Sequence, residues 1–96
     1  MTNIKVDLEQ KHIDHGTACN SGSCPAALAI TEALPGVHAV KVESWTIYLY
    51  RTSGHTFGMA VDTPDSVTNF IKDFDRGRPV KPFSFNLDVP DWAVKA

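Results

Sequence analysis

Hydrophobic residues alternate with polar residues in five short stretches of the chain, and this period of two predicts β-strands. The stretches cover residues 4–8, 37–43, 45–50, 57–61 and 83–87. In the third stretch Trp45, Ile47 and Leu49 are expected to point into the core. The same alternation places Tyr48 and Tyr50 on the open face of the sheet.

Two longer segments are instead predicted to be helices. The segment after Cys24 is apolar almost all round, which predicts a helix buried on more than one side. We expect Ser23 or Cys24 to cap this helix, Pro25 to lie in its first turn and Pro35-Gly36 to end it. A weaker pattern predicts one further helical turn over residues 9–16.

The second main helix has a clear predicted beginning and end. Thr63 is the expected N-cap, Pro64 the first helical residue and Gly77 the residue that closes the helix. Between these ends, an apolar stripe with i, i+3, i+4, i+7 spacing predicts the face that packs on the sheet. Its members are Val67, Phe70, Ile71 and Phe74.

The order of elements is therefore β-α-β-β-β-α-β. This order predicts an α+β fold, a two-layer sandwich of a mainly antiparallel sheet with two helices on one face. A chain of 96 residues is expected to form a single domain over residues 1–96.

Composition narrows the classes of function. A net charge of −2 and a pI near 6.0 argue against nucleic acid as the partner, because its recognition usually needs a basic face. No stretch is long and apolar enough to predict a membrane span. The first residues lack the features of a secretory signal, so we expect a cytoplasmic location.

Four side chains that can ligate a metal are concentrated in one short segment: His12, His15, Cys19 and Cys24. Zinc prefers such nitrogen and sulfur ligands, so one hypothesis is a zinc site that stabilises a small partner- or nucleic-acid-binding module. A simpler interpretation needs no cofactor: Cys24 packs under the helix, and the other three residues face solvent. A third hypothesis makes Cys24 a reactive thiol, activated by the helix N-terminus.

Two pieces of the sequence, CPAALAITEAL and TPDSVTNFIKDFDRGRPVKPFSFNLDVP, carry a resemblance. They resemble small uncharacterised proteins encoded by bacteriophages and prophages, which share a Cys-Pro helix start and a phrase similar to FDRGRPVKPFSFNLD. The resemblance implies a phage origin and no particular chemistry.

Exposed aromatic residues provide the remaining candidate site. Tyr48, Tyr50 and Trp92 are the expected contacts for a protein partner, because aromatic side chains dominate interface energetics. We therefore expect a non-enzymatic protein that binds a host or phage protein and thereby modulates or blocks a host process. Strand addition at a free sheet edge could also make it a homodimer. His38 and His55 are expected to face solvent.

Overall fold

The structure is a computed structural model that describes residues 1–52 and 57–95. Its five strands are β1 (Thr2–Leu8), β2 (Val37–Val42), β3 (Thr46–Arg51), β4 (Phe57–Asp62) and β5 (Phe83–Val89). Its helices are α1 (Gln10–His15), α2 (Pro25–Ala33) and α3 (Asp65–Asp75), followed by a 3₁₀ helix over Asp91–Val94. The predicted α+β class and the predicted order of the main elements are confirmed.

All strand pairs are antiparallel, but they form two sheets. β1 pairs with β5, while β2, β3 and β4 form a three-stranded meander. The alternating pattern predicted each strand correctly, but a period of two carries no information about which edges pair. Residues of β4 and β5 line a cavity of about 420 Å³, and no hydrogen-bonded ladder joins these two strands within the described part of the chain.

One cluster of buried side chains joins both sheets and both main helices. α2 begins as predicted, with Cys24 as N-cap and Pro25 in its first turn. The predicted stripe of α3 faces the core, and the Phe70 ring lies 5.1 Å from the Phe83 ring of β5.

The beginning of α3 differs from the prediction by one residue. The helix begins at Asp65 with Pro64 as N-cap, so the prediction that Thr63 caps it is wrong. Thr63 is buried, and its hydroxyl donates instead to the carbonyl of Glu43, at 2.9 Å. The helix ends as predicted before Gly77, whose φ of 74° is the left-handed conformation that glycine adopts easily.

Trp45 was predicted to lie in the core, and this is wrong. Its side chain is 75% exposed, because β3 begins only at Thr46 and Trp45 belongs to the turn before it. Ile47 and Leu49 are buried as expected.

A β-bulge changes the direction of one aromatic side chain in β4. Leu49 pairs with Met59, but Tyr50 pairs with Phe57, so Gly58 is the extra residue. Phe57 therefore faces the same side as Tyr50 and is 54% exposed. The expectation for His55 falls on a residue outside the described ones.

Candidate functional site

His12 lies at the third position of α1 and is only 4% exposed. Its Nδ1 accepts a hydrogen bond of 2.8 Å from the backbone N–H of Glu9, which precedes the helix. A side chain that reaches back to the N-cap in this way satisfies a donor that the helix leaves unpaired. His12 thus holds the start of α1 in place.

The other nitrogen of His12 contacts a carboxylate on α2. Nε2 lies 3.0 Å from an Oε atom of Glu32. Because Nδ1 accepts from a backbone N–H, the proton of the neutral ring lies on Nε2, which donates it to Glu32. The two helices are therefore joined through a single imidazole ring.

Lys11 adds a cation to this contact. Its Nζ lies 2.9 Å from Glu32 and 3.6 Å from Glu9. The hydrogen bond from Lys11, followed by the one from His12, holds the pKa of Glu32 below its ordinary value. The Glu32 carboxylate in turn raises the pKa of Lys11.

Among the described residues, one group of three side chains brings its potential metal-ligand atoms within 4.8 Å of one another. Its members are Glu9, His12 and Glu32. Metal binding through Nε2 would need a free lone pair on that nitrogen. Nε2 instead carries the ring proton, because Nδ1 accepts the hydrogen bond from Glu9. The arrangement fits a hydrogen-bonded structural histidine better than a ligand.

The four predicted zinc ligands do not meet at one point. His12 is turned toward Glu32, and His15 places its Nδ1 2.8 Å from the carbonyl of Lys11. Cys19 is exposed on the loop between α1 and α2, whereas Cys24 is buried at the start of α2. The structure separates the histidine pair from the cysteine pair, each with its own partners.

Cys24 does not have the environment of an activated thiol. Burial is the main reason why the pKa of the Cys24 thiol is raised, and it outweighs the backbone N–H groups of Ala27 and Ala26, which lower it. A thiolate nucleophile at neutral pH needs the opposite shift.

The solvent face of the three-stranded sheet carries three neighbouring aromatic side chains, Tyr48, Tyr50 and Phe57, which we call the aromatic patch. The Phe57 ring lies 6.1 Å from the Tyr48 ring and 5.8 Å from the Tyr50 ring. Such spacings are those of interacting aromatic pairs. Two of the three predicted contact residues are therefore brought together here.

Basic side chains border the aromatic patch on the β2 side. Lys41 Nζ lies 5.9 Å from the centre of the Tyr50 ring, within the range of a cation–π contact. The His38 ring, exposed as expected, lies 6.5 Å from the same tyrosine.

Trp92, the third predicted contact, lies away from the aromatic patch. It is partly buried in the 3₁₀ helix and packs against the core, with the Arg51 guanidinium 4.7 Å from its ring. Phe57 was not among the predicted contacts. The signal for it was Gly58, since an isolated glycine inside a strand pattern often marks a bulge.

No helix in the described ranges is long and apolar enough to cross a membrane. Comparisons of the chain with protein-family models, with curated proteins and with solved structures found no match.

Proposed function

We propose that this chain is a non-enzymatic binding protein that recognises another protein through the aromatic patch. The observation that carries the proposal is the cluster formed by half-buried Tyr48 and Tyr50 with exposed Phe57 on one sheet face. Tyrosine and phenylalanine provide large contact areas, and in a sheet they lose little conformational entropy on binding.

Charge defines the partner further. Lys41 lies beside the Tyr50 ring of the patch, so the matching surface is apolar at its centre and offers a carboxylate opposite Lys41. The resemblance to phage-encoded proteins supports a host or phage protein as that partner. A binding function without catalysis agrees with the environment of Cys24, the candidate nucleophile, because this residue is buried and the pKa of its thiol is raised.

The test is affinity capture with the immobilised chain from nuclease-treated bacterial lysate, with and without phage infection. We expect the wild type to retain a discrete protein that a variant with Tyr48→Ala, Tyr50→Ala and Phe57→Ala does not retain. Trp45→Ala is the matched control, because it removes an exposed aromatic ring that lies outside the patch.

Circular dichroism and thermal melting establish that all variants are folded. An identical set of captured proteins for the wild type and the triple variant would refute the proposal. Capture that occurs from untreated lysate but not from nuclease-treated lysate would also refute it, since the partner would then be a nucleic acid.

A further inference from the structure

Both cysteines line one cavity. It has a volume of about 270 Å³ and is bounded by the loop before α2, the β2–β3 turn and the last turn of α3. Cys19 is exposed at this cavity, while Cys24, at the start of α2, is 2% exposed. The two cysteines therefore lie at one half-open pocket, with Cys19 accessible to small reagents and Cys24 protected.

The backbone between the cysteines reverses direction. The N–H of Ser23 donates to the carbonyl of Asn20 at 3.2 Å, and the N–H of Gly22 donates to the side chain of Asn20 at 3.1 Å. These bonds close a β-turn over residues 20–23, which brings the ends of the turn within about 7 Å. Cys19 and Cys24 lie directly before and after this turn, and both line the same cavity.

Cys19 is also fixed by α3. Its backbone N–H donates to Asp75 Oδ1 at 2.9 Å, and its Sγ lies 3.8 Å from the Asp75 carbonyl. Its φ of 58° makes it the only non-glycine residue in the described part of the chain with a left-handed backbone. Asp75 thus holds Cys19 in a conformation that an isolated loop rarely adopts.

We propose that Cys19 and Cys24 form a reversible intramolecular disulfide, and that small disulfides such as glutathione disulfide are the oxidants. The Cys19 thiolate attacks one sulfur of the oxidant, which forms a mixed disulfide and releases one glutathione thiolate. Cys24 then loses its proton to solvent and attacks Cys19 Sγ, which releases the second glutathione. The protein loses two electrons and two protons, and one glutathione disulfide becomes two thiols.

The accessibility of the two thiols sets this order of events. Exposed Cys19 reacts first, because thiol–disulfide exchange requires the attacking thiol to be accessible to the oxidant. Cys24 lines the same cavity, so it reaches a Cys19 adduct without first meeting an oxidant in solution.

The test uses the full chain equilibrated in buffers with defined ratios of reduced to oxidised glutathione. Samples are quenched with acid, labelled with maleimide and examined as intact protein by mass spectrometry. We expect the wild type to lose both reactive thiols together, as a monomer that carries no glutathione. Cys24→Ser should stop at one glutathione on Cys19, while Cys19→Ser should keep an unmodified Cys24.

A wild type that accumulates a glutathione adduct at Cys19 and keeps a free Cys24 would overturn the proposal. Oxidation to disulfide-linked dimers alone would overturn it as well. The thiol count of the wild type is informative even if Cys24→Ser fails to fold, because it needs no substitution.

Discussion

At the scale of single residues, buried His12 stabilises the fold through hydrogen bonds at both of its ring nitrogens. Its two nitrogens contact the Glu9 backbone and the Glu32 carboxylate. Removing this buried ring leaves a cavity and takes away a hydrogen-bond partner of both the Glu9 N–H and Glu32, and such losses are costly. We expect His12→Ala to lower the free energy of unfolding by about 2–4 kcal/mol.

Urea unfolding followed by circular dichroism measures this loss. His15→Ala is the matched control, because His15 is an exposed residue of the same helix. Its effect should stay within about 0.5 kcal/mol, as is usual for surface positions. Equal effects of the two substitutions would contradict the structural role of His12.

Glu32 gives a prediction about pH. The pKa of Glu32 is lower in the folded protein than its ordinary value of 4.5, because Lys11 and then His12 stabilise the carboxylate. The ionised group therefore stabilises the fold fully above pH 4.5, and this contribution is lost as pH falls through the lowered pKa. We expect Glu32→Gln to flatten the dependence of unfolding free energy on pH in this acidic window.

Urea unfolding at a series of pH values tests the prediction. Asp14→Asn on α1 is a suitable control, since no cation lies within ion-pair distance of Asp14 among the described ion pairs. The control should keep the wild-type slope, and a slope that persists in Glu32→Gln would show that another carboxylate is responsible.

At the scale of elements, two buried threonines hold the turn between β2 and β3. The Thr63 hydroxyl donates to Glu43 at 2.9 Å, and the Thr68 hydroxyl donates to Ser44 at 2.7 Å. The N–H of Thr63 also donates to the carbonyl of Trp45, at 3.1 Å. Three successive carbonyls of the turn are thus fixed by the segment that begins α3.

Thr63→Val and Thr68→Val keep the side-chain shape but leave a turn carbonyl without its donor. Each should cost about 1–3 kcal/mol, the usual penalty for a lost partner at a buried site. Thr31→Val is the matched control, because among the described hydrogen bonds its hydroxyl donates to Ala27 alone, within the same helix. If all three substitutions had the same small effect on chemical denaturation, the threonines would not be what holds this turn.

The elements also show what the sequence can predict. The period of two placed the strands and the period of 3.6 placed α3, because burial on one face imposes these periods, while α2 was placed by its apolar run and its Cys24-Pro25 start. The position of Trp45 could not be read from them, since one residue of turn before β3 removes it from the alternation. Phe57 joins the aromatic patch only because a β-bulge turns its side chain to the face of Tyr50. The alternation alone does not reveal where the register shifts.

At the scale of the whole molecule, the C-terminal 3₁₀ helix connects the two sheets. It follows β5 directly, yet the carbonyl of Ala93 accepts a hydrogen bond of 2.9 Å from Gly36, just before β2. The Trp92 indole covers Gly58 of β4 so closely that a Cβ there would lie 2.4 Å from its ring. The 3₁₀ helix thus contacts both edges of the three-stranded sheet, at Gly36 before β2 and at Gly58 in β4, and links them to β5 of the two-stranded sheet.

Gly36 is the point where this contact tolerates the least change. A Cβ at Gly36 would lie 2.0 Å from the carbonyl oxygen of Trp92, a backbone atom that cannot rotate away. At Gly58 the obstacle is a side chain, which can move. We therefore expect Gly36→Ala to displace the 3₁₀ helix and to destabilise the protein more than Gly58→Ala, whose cost should be about 1–3 kcal/mol, as for overpacking in general.

Fluorescence distinguishes displacement of the helix from general unfolding. In a Trp45→Phe background Trp92 is the only tryptophan, so its emission reports whether the indole remains packed. Gly36→Ala should shift this emission toward that of exposed indole while the circular dichroism of the sheets is retained. An unchanged emission with normal stability would show that the 3₁₀ helix does not hold the sheets together.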